Sequence, residues 1–159
     1  MFAQNMLLVG SAGGPAGDGA DLIGTMSGYT LGAITVSALG ESTASVRAWK
    51  AFDKGTSSPS RWRHAVSTWL KVDFGSSQVA YSYMLQGEGL TRDPAAWTFE
   101  GSDNDSAWTT LDTQSGIGTS SAEQDFSLSK RAEYRYYRWS FTAMNGGSTV
   151  GIKEAQIRS

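Results

Sequence analysis

The fold is decided by the stretch Trp69-Leu70-Lys71-Val72-Asp73-Phe74-Gly75, in which apolar and polar side chains alternate up to a glycine. In an extended strand, alternate side chains point to opposite faces, so Leu70, Val72 and Phe74 share one face. The same alternation recurs at these positions: Val79, Tyr81, Tyr83 and Leu85; Trp97 and Phe99; Tyr137, Trp139 and Phe141; Val150 and Ile152. The pattern predicts several strands, each with one buried face.

Turn-forming clusters separate these alternating stretches. They are Gly75-Ser76-Ser77, Gly101-Ser102-Asp103-Asn104-Asp105-Ser106, Ser115-Gly116-Ile117-Gly118 and Asn145-Gly146-Gly147. No stretch keeps a helical apolar period over ~11 residues. Many short strands at this spacing are typical of a sandwich or jelly roll. We therefore expect an all-β, antiparallel β-sandwich in which Trp62 and Trp97 are candidates for the core.

Composition excludes several classes of function. The chain has 159 residues, a net charge of −2 and no cysteine. It therefore lacks the basic character of a nucleic-acid-binding protein and cannot form disulfides or cysteine-ligated metal sites. The single His64 has no cysteine to pair with, and no Gly-x-Ser-x-Gly motif is present. We do not expect an enzyme.

The N-terminal part differs from the rest of the chain. Residues 10–20 consist almost entirely of glycine, alanine and other small residues, which bury too little apolar area to fold alone. We predict a Gly-rich N-terminal arm over residues 1–28 and one domain over residues 29–159. The arm is either a flexible tail or a segment that docks on a neighbour. No Lys or Arg precedes Arg47, which argues against a classical secretory signal.

The alternating stretches form an ordered set that resembles the discoidin, or coagulation-factor C-type, domain family. The set comprises Ala51-Phe52-Asp53, Trp62, 69–75, Trp97-Thr98-Phe99-Glu100-Gly101-Ser102, Trp108-Thr109-Thr110-Leu111-Asp112, Tyr134-Arg135-Tyr136-Tyr137-Arg138-Trp139 and Ile152-Lys153-Glu154. The resemblance implies a galactose-binding-like jelly roll that holds sugars or surfaces. Membrane-binding members use apolar loop tips beside basic residues, and no such tip is evident in the sequence. We therefore expect no membrane insertion.

The resemblance also implies a structural calcium site. In the family a similar loop wraps a hard cation, which here implies the Lys50 carbonyl, Asp53, Ser60, the Lys153 carbonyl and Glu154 as ligands. Calcium takes about 6–8 oxygen ligands from carbonyl, hydroxyl and carboxylate groups, which suits this set. The alternative is that Asp53 only caps the turn and Glu154 pairs with a Lys or Arg.

Carried over in the same way, the family's sugar-binding positions imply Arg63, His64, Arg92 and Asn145 as ligand-binding residues. Such side chains suit polyols, because sugar hydroxyls both donate and accept hydrogen bonds. The alternatives are that Arg92 forms a local ion pair with Asp93 and that His64 is an ordinary solvated loop residue.

The run 92–102 resembles versions found in bacteriophage structural proteins. The leading expectation is a non-catalytic module that binds a cell-surface glycan as part of a phage tail or capsid, in multiple copies and outside the cell. The alternative is a structural decoration or assembly protein of the virion, which contacts other virion proteins through the arm and has no glycan ligand.

Overall fold

The computed structural model describes residues 19–55 and 60–159. Within them the chain forms antiparallel strands and two short 3₁₀ helices, Ala48–Ala51 and Leu90–Arg92. The strands are β1 (Thr30–Leu31), β2 (Ile34–Ala38), β3 (Trp62–Ala65), β4 (Thr68–Gly87), β5 (Pro94–Ser102), β6 (Thr109–Ser115), β7 (Glu123–Met144) and β8 (Thr149–Arg158). None of the described helices is long and apolar enough to cross a membrane.

Two long strands, β4 and β7, connect the two layers of the fold. The first half of β4 pairs with the second half of β7, from Thr68 opposite Phe141 to Asp73 opposite Tyr136. After a register break, the second half of β4 pairs with the first half of β7 and with β8. The cluster Gly75-Ser76-Ser77, predicted to be a turn, therefore lies inside β4. It bends the strand without ending it, because hydrogen bonding resumes at Gln78.

The core lies between the two layers. One layer has the strand order β1-β2-β4-β7-β5-β6, and β8 joins β4 to β3 in the other. The predicted apolar face is confirmed, since Leu70, Val72 and Phe74 are all buried. Trp62 and Trp97 are 0% and 1% exposed, which confirms their place in the core.

The glycine at position 101 allows a close approach between a strand and an aromatic ring. A Cβ at Gly101 would lie within 2.9 Å of three atoms of the Tyr134 ring. No side chain larger than hydrogen fits there unless the ring moves.

The segment before β1 belongs to the packed body. Asp21 forms an isolated bridge with Arg158, and Ile23 and Met26 are 1% and 2% exposed. The boundary predicted between residues 28 and 29 therefore falls beyond a segment that already contributes to the core. Residues 1–18 of the predicted arm lie outside the described residues.

Both ends of β4 lie at the same end of the sandwich. Val66, before β4, donates its N–H to Ser148 O, and Glu88, after it, donates its N–H to Gly151 O. We call this end the loop rim and define it as segments 61–67, 88–93, 116–122 and 145–151. Further backbone hydrogen bonds connect these segments, including Gly147 N to Thr91 O and Asn145 N to Asp93 O.

Candidate ligand-binding site

The buried carboxylate of Asp93 holds the turn that projects from the loop rim. Asp93 is 2% exposed, and its Oδ1 accepts the Gly89 N–H at 2.5 Å. Its Oδ2 accepts the Ser120 N–H at 2.7 Å. Asp93 thus connects two rim segments through backbone donors, in place of the local ion pair with Arg92 that was the alternative from sequence. Gly87 makes this possible, because a Cβ there would collide with the Asp93 carboxylate.

Asn145 strengthens the same junction. Its backbone N–H donates to Asp93 O at 3.0 Å, and its side-chain Nδ2 donates to Ile117 O at 3.0 Å and Asp93 O at 3.3 Å. The amide nitrogen of this predicted ligand-binding residue is therefore used to connect three rim segments. A direct role in ligand binding stays a prediction.

The projecting turn exposes an aliphatic side chain beside an arginine. Leu90 is 81% exposed and has a φ of +62°, a left-handed conformation that is unusual for a bulky residue. Arg92 is also exposed, and its side chain has no hydrogen bond or ion pair within the described part of the chain. No apolar loop tip with a basic neighbour was evident in the sequence, and this turn corrects that expectation. Since leucine carries no turn signal, the feature depends on the backbone held by Asp93.

Arg63 lies on the outer face of β3 and binds Glu88. Its Nε donates to Glu88 Oε2 at 2.5 Å, its Nη2 donates to Glu88 Oε1, and Arg61 Nη1 lies 3.1 Å from the same oxygen. Gly151, opposite Arg63 in the register, leaves room for these side chains. A Cβ at Gly151 would lie 2.5 Å from Glu88 Oε2 and 3.5 Å from Arg92 Cβ. Arg63, Glu88 and Arg92 therefore surround one glycine.

His64 lies on the face of β3 opposite to Arg63. It alternates with Arg63 along β3 and lies on the same face as the buried Trp62. Trp62 Nε1 donates to Gly40 O at 2.9 Å, and a Cβ at Gly40 would lie within 2.9 Å of three atoms of the His64 ring. The structure therefore places Arg63 and Arg92 around Gly151 and Asn145 against Asp93, whereas His64, on the opposite face of β3, is half-buried against Gly40. It is a strand residue, not the solvated loop residue that was the alternative.

A concave surface of about 390 Å³ adjoins the turn. Its walls are Glu88, Gly89, Leu90 and the hydroxyl-bearing run Thr119-Ser120-Ser121. Sequence reasoning missed Glu88, Leu90 and this run. The only signal for them was the pair of glycines flanking Glu88, which indicates a sharp turn at the end of a strand.

The predicted calcium ligands converge in part. Asp53 Oδ1 accepts the Gly55 N–H at 2.8 Å, and Asp53 Oδ2 accepts the Ser60 hydroxyl. A Cβ at Gly55 would collide with the Ser60 side chain and lie 2.7 Å from Asp53 Oδ1, so three groups surround a narrow space. Asp53 does stabilise the turn, as the alternative held. Its hydrogen bonds leave lone pairs available for a cation.

Glu154 is the second carboxylate of this set. It is 5% exposed, its Oε2 accepts the Lys54 N–H at 3.0 Å, and its buried Oε1 has no partner among the described residues. Burial raises the pKa of Glu154 to about 7, with a smaller contribution from the carboxylates of Asp21 and Asp53. The side chain of Lys54 pairs with Asp21, so Glu154 does not form the side-chain ion pair of the alternative.

A bulge places Lys153 beside this carboxylate. The register passes from Gln86 opposite Glu154 to Gly87 opposite Ile152, so Lys153 is the extra residue. An extra residue in a bulge is left out of the ladder, which suits a carbonyl ligand. No three carboxylate, imidazole or thiolate groups converge in the described ranges, so a cation here would need carbonyl and hydroxyl oxygens as well. An orphaned buried carboxylate oxygen, a hydroxyl and a bulge carbonyl fit a hard cation.

A second concave surface, of about 590 Å³, lies at the end of the sandwich opposite the loop rim. It is lined by residues of β6 and of the bend in β7, including Lys130, Arg131 and Glu133. The Arg131 guanidinium is paired with Glu133 at 2.5 Å. The loop rim is therefore the better candidate, because it combines an exposed arginine with an exposed apolar side chain.

Solved structures share this fold. The chain is similar to chitosan-binding module 1 from a chitosanase/glucanase of Paenibacillus sp. IK-5, with 24% identity, a TM-score of 0.65 and coverage of 79% of this chain and 94% of that one. It is also similar to the family 32 carbohydrate-binding module of NanJ from C. perfringens in complex with galactose, with 15% identity, a TM-score of 0.66 and coverage of 80% and 94%.

A third similar structure is the family 32 module of AlyQ in complex with 4,5-unsaturated mannuronic acid, with 16% identity, a TM-score of 0.67 and coverage of 77% and 92%. At these identities the likeness establishes the fold. No curated protein sequence matches the chain. The model of the NedA-like, galactose-binding domain matches residues 50–139, more than half of the chain. The chain therefore belongs to the NedA-like, galactose-binding domain family.

Proposed function

We propose that this chain is a non-catalytic module that binds a glycan at the loop rim. One observation carries the proposal: a turn locked by Asp93 exposes Arg92 and presents Leu90 as a wall of a concave surface that is also lined by hydroxyl groups. Arginine donors and hydroxyl groups suit sugar hydroxyls, and an aliphatic side chain suits the C–H face of a pyranose ring. Modules of the same fold bind chitosan, galactose and unsaturated mannuronic acid, which supports this class of ligand.

The chemistry of the rim supports binding without catalysis. Both oxygens of Glu88 accept bonds from arginines, and both oxygens of Asp93 accept backbone N–H groups. A general acid or base needs a proton-transfer atom within reach of the substrate. These carboxylates serve instead to orient the loops. A single site of this kind binds weakly, and several copies on one particle would raise the avidity.

The calcium proposal is structural. Asp53, Ser60 and Glu154, with the carbonyls of Lys50 and Lys153, would hold the ion, which supplies positive charge to neutralise the two carboxylates. Without it, the unpartnered Glu154 Oε1 is an unfavourable buried group. The loop after Asp53 leads to β3, so the ion would support the strand that carries Arg63.

The proposed function is tested by screening the protein on a glycan array, before and after Arg92→Ala. Lys130→Ala is the matched control, because Lys130 is an exposed cation at the opposite end of the sandwich. Loss of binding in Arg92→Ala alone supports the rim site. Retention of full binding in Arg92→Ala refutes it, and absence of any glycan ligand refutes the function.

The virion setting and the assembly role stay predictions. Arm-mediated assembly would make residues 1–28 necessary for incorporation into a particle, while glycan binding would depend on the rim. Deletion of residues 1–18, which leaves the packed segment at Ile23 and Met26 intact, separates the two. Loss of incorporation with retained glycan binding would assign the arm to assembly.

A further inference from the structure

Three arginines meet at the loop rim around the carboxylate of Glu88. Arg61 and Arg63 both bind Glu88, and Arg92 approaches the same place across Gly151. The neighbouring carboxylate of Asp93 is turned inward, and backbone N–H groups occupy both of its oxygens. The three arginines therefore outnumber the two carboxylates beside them, Glu88 and Asp93, by one.

This arrangement differs from the rest of the described surface. Elsewhere each cation of an ion pair has its own carboxylate: Lys54 with Asp21, Lys71 with Asp105, Arg131 with Glu133, Arg135 with Asp73, Arg138 with Glu100 and Arg158 with Asp125. The whole chain has a net charge of −2, so the rim carries positive charge against the overall balance. Such local concentration of one sign attracts ligands of the other sign.

The electrostatics of Arg63 indicate that one carboxylate does not balance the cluster. Partial burial lowers the pKa of Arg63, and the charges of Arg61 and Arg92 lower it further. The positive charges of Arg61 and Arg92 therefore both disfavour the charged form of Arg63. An anionic ligand group beside Arg92 would relieve this repulsion.

We propose that the ligand of the rim is an acidic saccharide whose carboxylate is bound by Arg92; this rests on the proposed function. A guanidinium offers two parallel N–H donors that match the two oxygens of a carboxylate. Arg92 follows Leu90 by two residues, and Leu90 and the run 119–121 line the adjoining concave surface, so the sugar ring would lie against the aliphatic side chain with its hydroxyls facing Thr119 and Ser121. Arg61 and Arg63 share the single carboxylate of Glu88, so the surroundings of Arg92 do not oppose a second negative charge.

An anionic lipid surface is the rival ligand, because Leu90 is an exposed aliphatic tip beside cations. Burying one such side chain supplies only about 1.5–3 kcal/mol. Stable membrane anchoring takes two independent signals, and three arginines partly neutralised by Glu88 form a weak basic patch. A concave surface lined by hydroxyl groups fits a polyol better than a flat bilayer.

The test compares one polymer in two charge states. Affinity is measured by calorimetry for polygalacturonate and for the same polymer after reduction of its carboxyl groups. A sulfated polysaccharide and phosphatidylserine vesicles are measured in the same way. We expect the acidic polymer to bind at least tenfold more tightly than its reduced form, with an affinity that falls as salt rises. Arg92→Gln should remove this preference, and Lys130→Gln should keep it.

The outcomes distinguish failure of the acidic ligand from failure of the glycan-binding function. Equal affinity for both forms, or a preference that Arg92→Gln leaves intact, overturns the acidic ligand while the glycan-binding function stands. Tighter binding to the sulfated polymer or to the vesicles than to polygalacturonate also overturns it. Absence of binding to every saccharide, including those of the glycan array, overturns the function and the inference together.

Discussion

Substitution of Asp93 by asparagine tests whether this carboxylate holds the loop rim. Asparagine keeps one acceptor oxygen and replaces the other by an amide donor, which would then face the N–H of Gly89 or of Ser120. A hydrogen bond to a charged group contributes about 1.5–3 kcal/mol. Because the residue is 2% exposed, water does not replace the lost partner. We therefore expect the free energy of unfolding to fall by about 2–3 kcal/mol, a large part of the ~5–15 kcal/mol typical of a domain.

The measurement is urea unfolding, with the change read from the midpoint at unchanged slope. The control is Asp125→Asn, which makes the same chemical change at a side chain that is 65% exposed and paired with Arg158. A surface pair of this kind contributes about 0–1 kcal/mol. If both variants lose the same stability, Asp93 does not lock the turn, and the account of how Leu90 and Arg92 are presented is wrong.

Three further predictions concern the body of the domain and the calcium site. The Arg135 guanidinium holds the pKa of the Asp73 carboxyl below its usual range. The pair therefore adds folding stability above pH ~4, and this stability is lost on further acidification. In Arg135→Gln, titration by NMR should show a higher Asp73 pKa, and acid should reduce the folding stability less than in the native chain. Gly101→Ala should cost about 1–3 kcal/mol in thermal unfolding because of the ring it meets, whereas Gly118→Ala, with open space around it, should not. Millimolar calcium should raise the unfolding midpoint of the native chain but not of Glu154→Gln, and an equal response in both would remove Glu154 from the ligand set.

The fold could be predicted from sequence because the signal is local. Alternation over residues 69–75 determines which face of β4 is buried, and Trp62 and Trp97 supply large apolar side chains that the core buries. The continuity of β4 through residues 75–77 could not be predicted from the sequence, since glycine and serine occur both in turns and in bends within a strand. The hydrogen bonds that decide between them come from β7, some sixty residues away.

The site was less predictable because it depends on which strands pair. Arg63 and His64 are neighbours in sequence, but strand alternation sends them to opposite faces once Trp62 is buried. The meeting of Arg63 with Glu88 and Arg92 requires β3 to lie beside β8 with Gly151 opposite Arg63. No local pattern encodes that contact.

The passage of β4 and β7 through both layers makes the unfolding of the two layers cooperative. Because each backbone is continuous across the bend, neither layer can detach while the other stays whole. Amide hydrogens near the middle of both strands should therefore exchange with solvent together, through one global opening. Sequence changes at exposed rim positions such as Leu90 and Arg92, unlike a change at the buried Asp93, would then alter this opening energy little, so the exposed loop residues are free to vary in evolution while the scaffold persists.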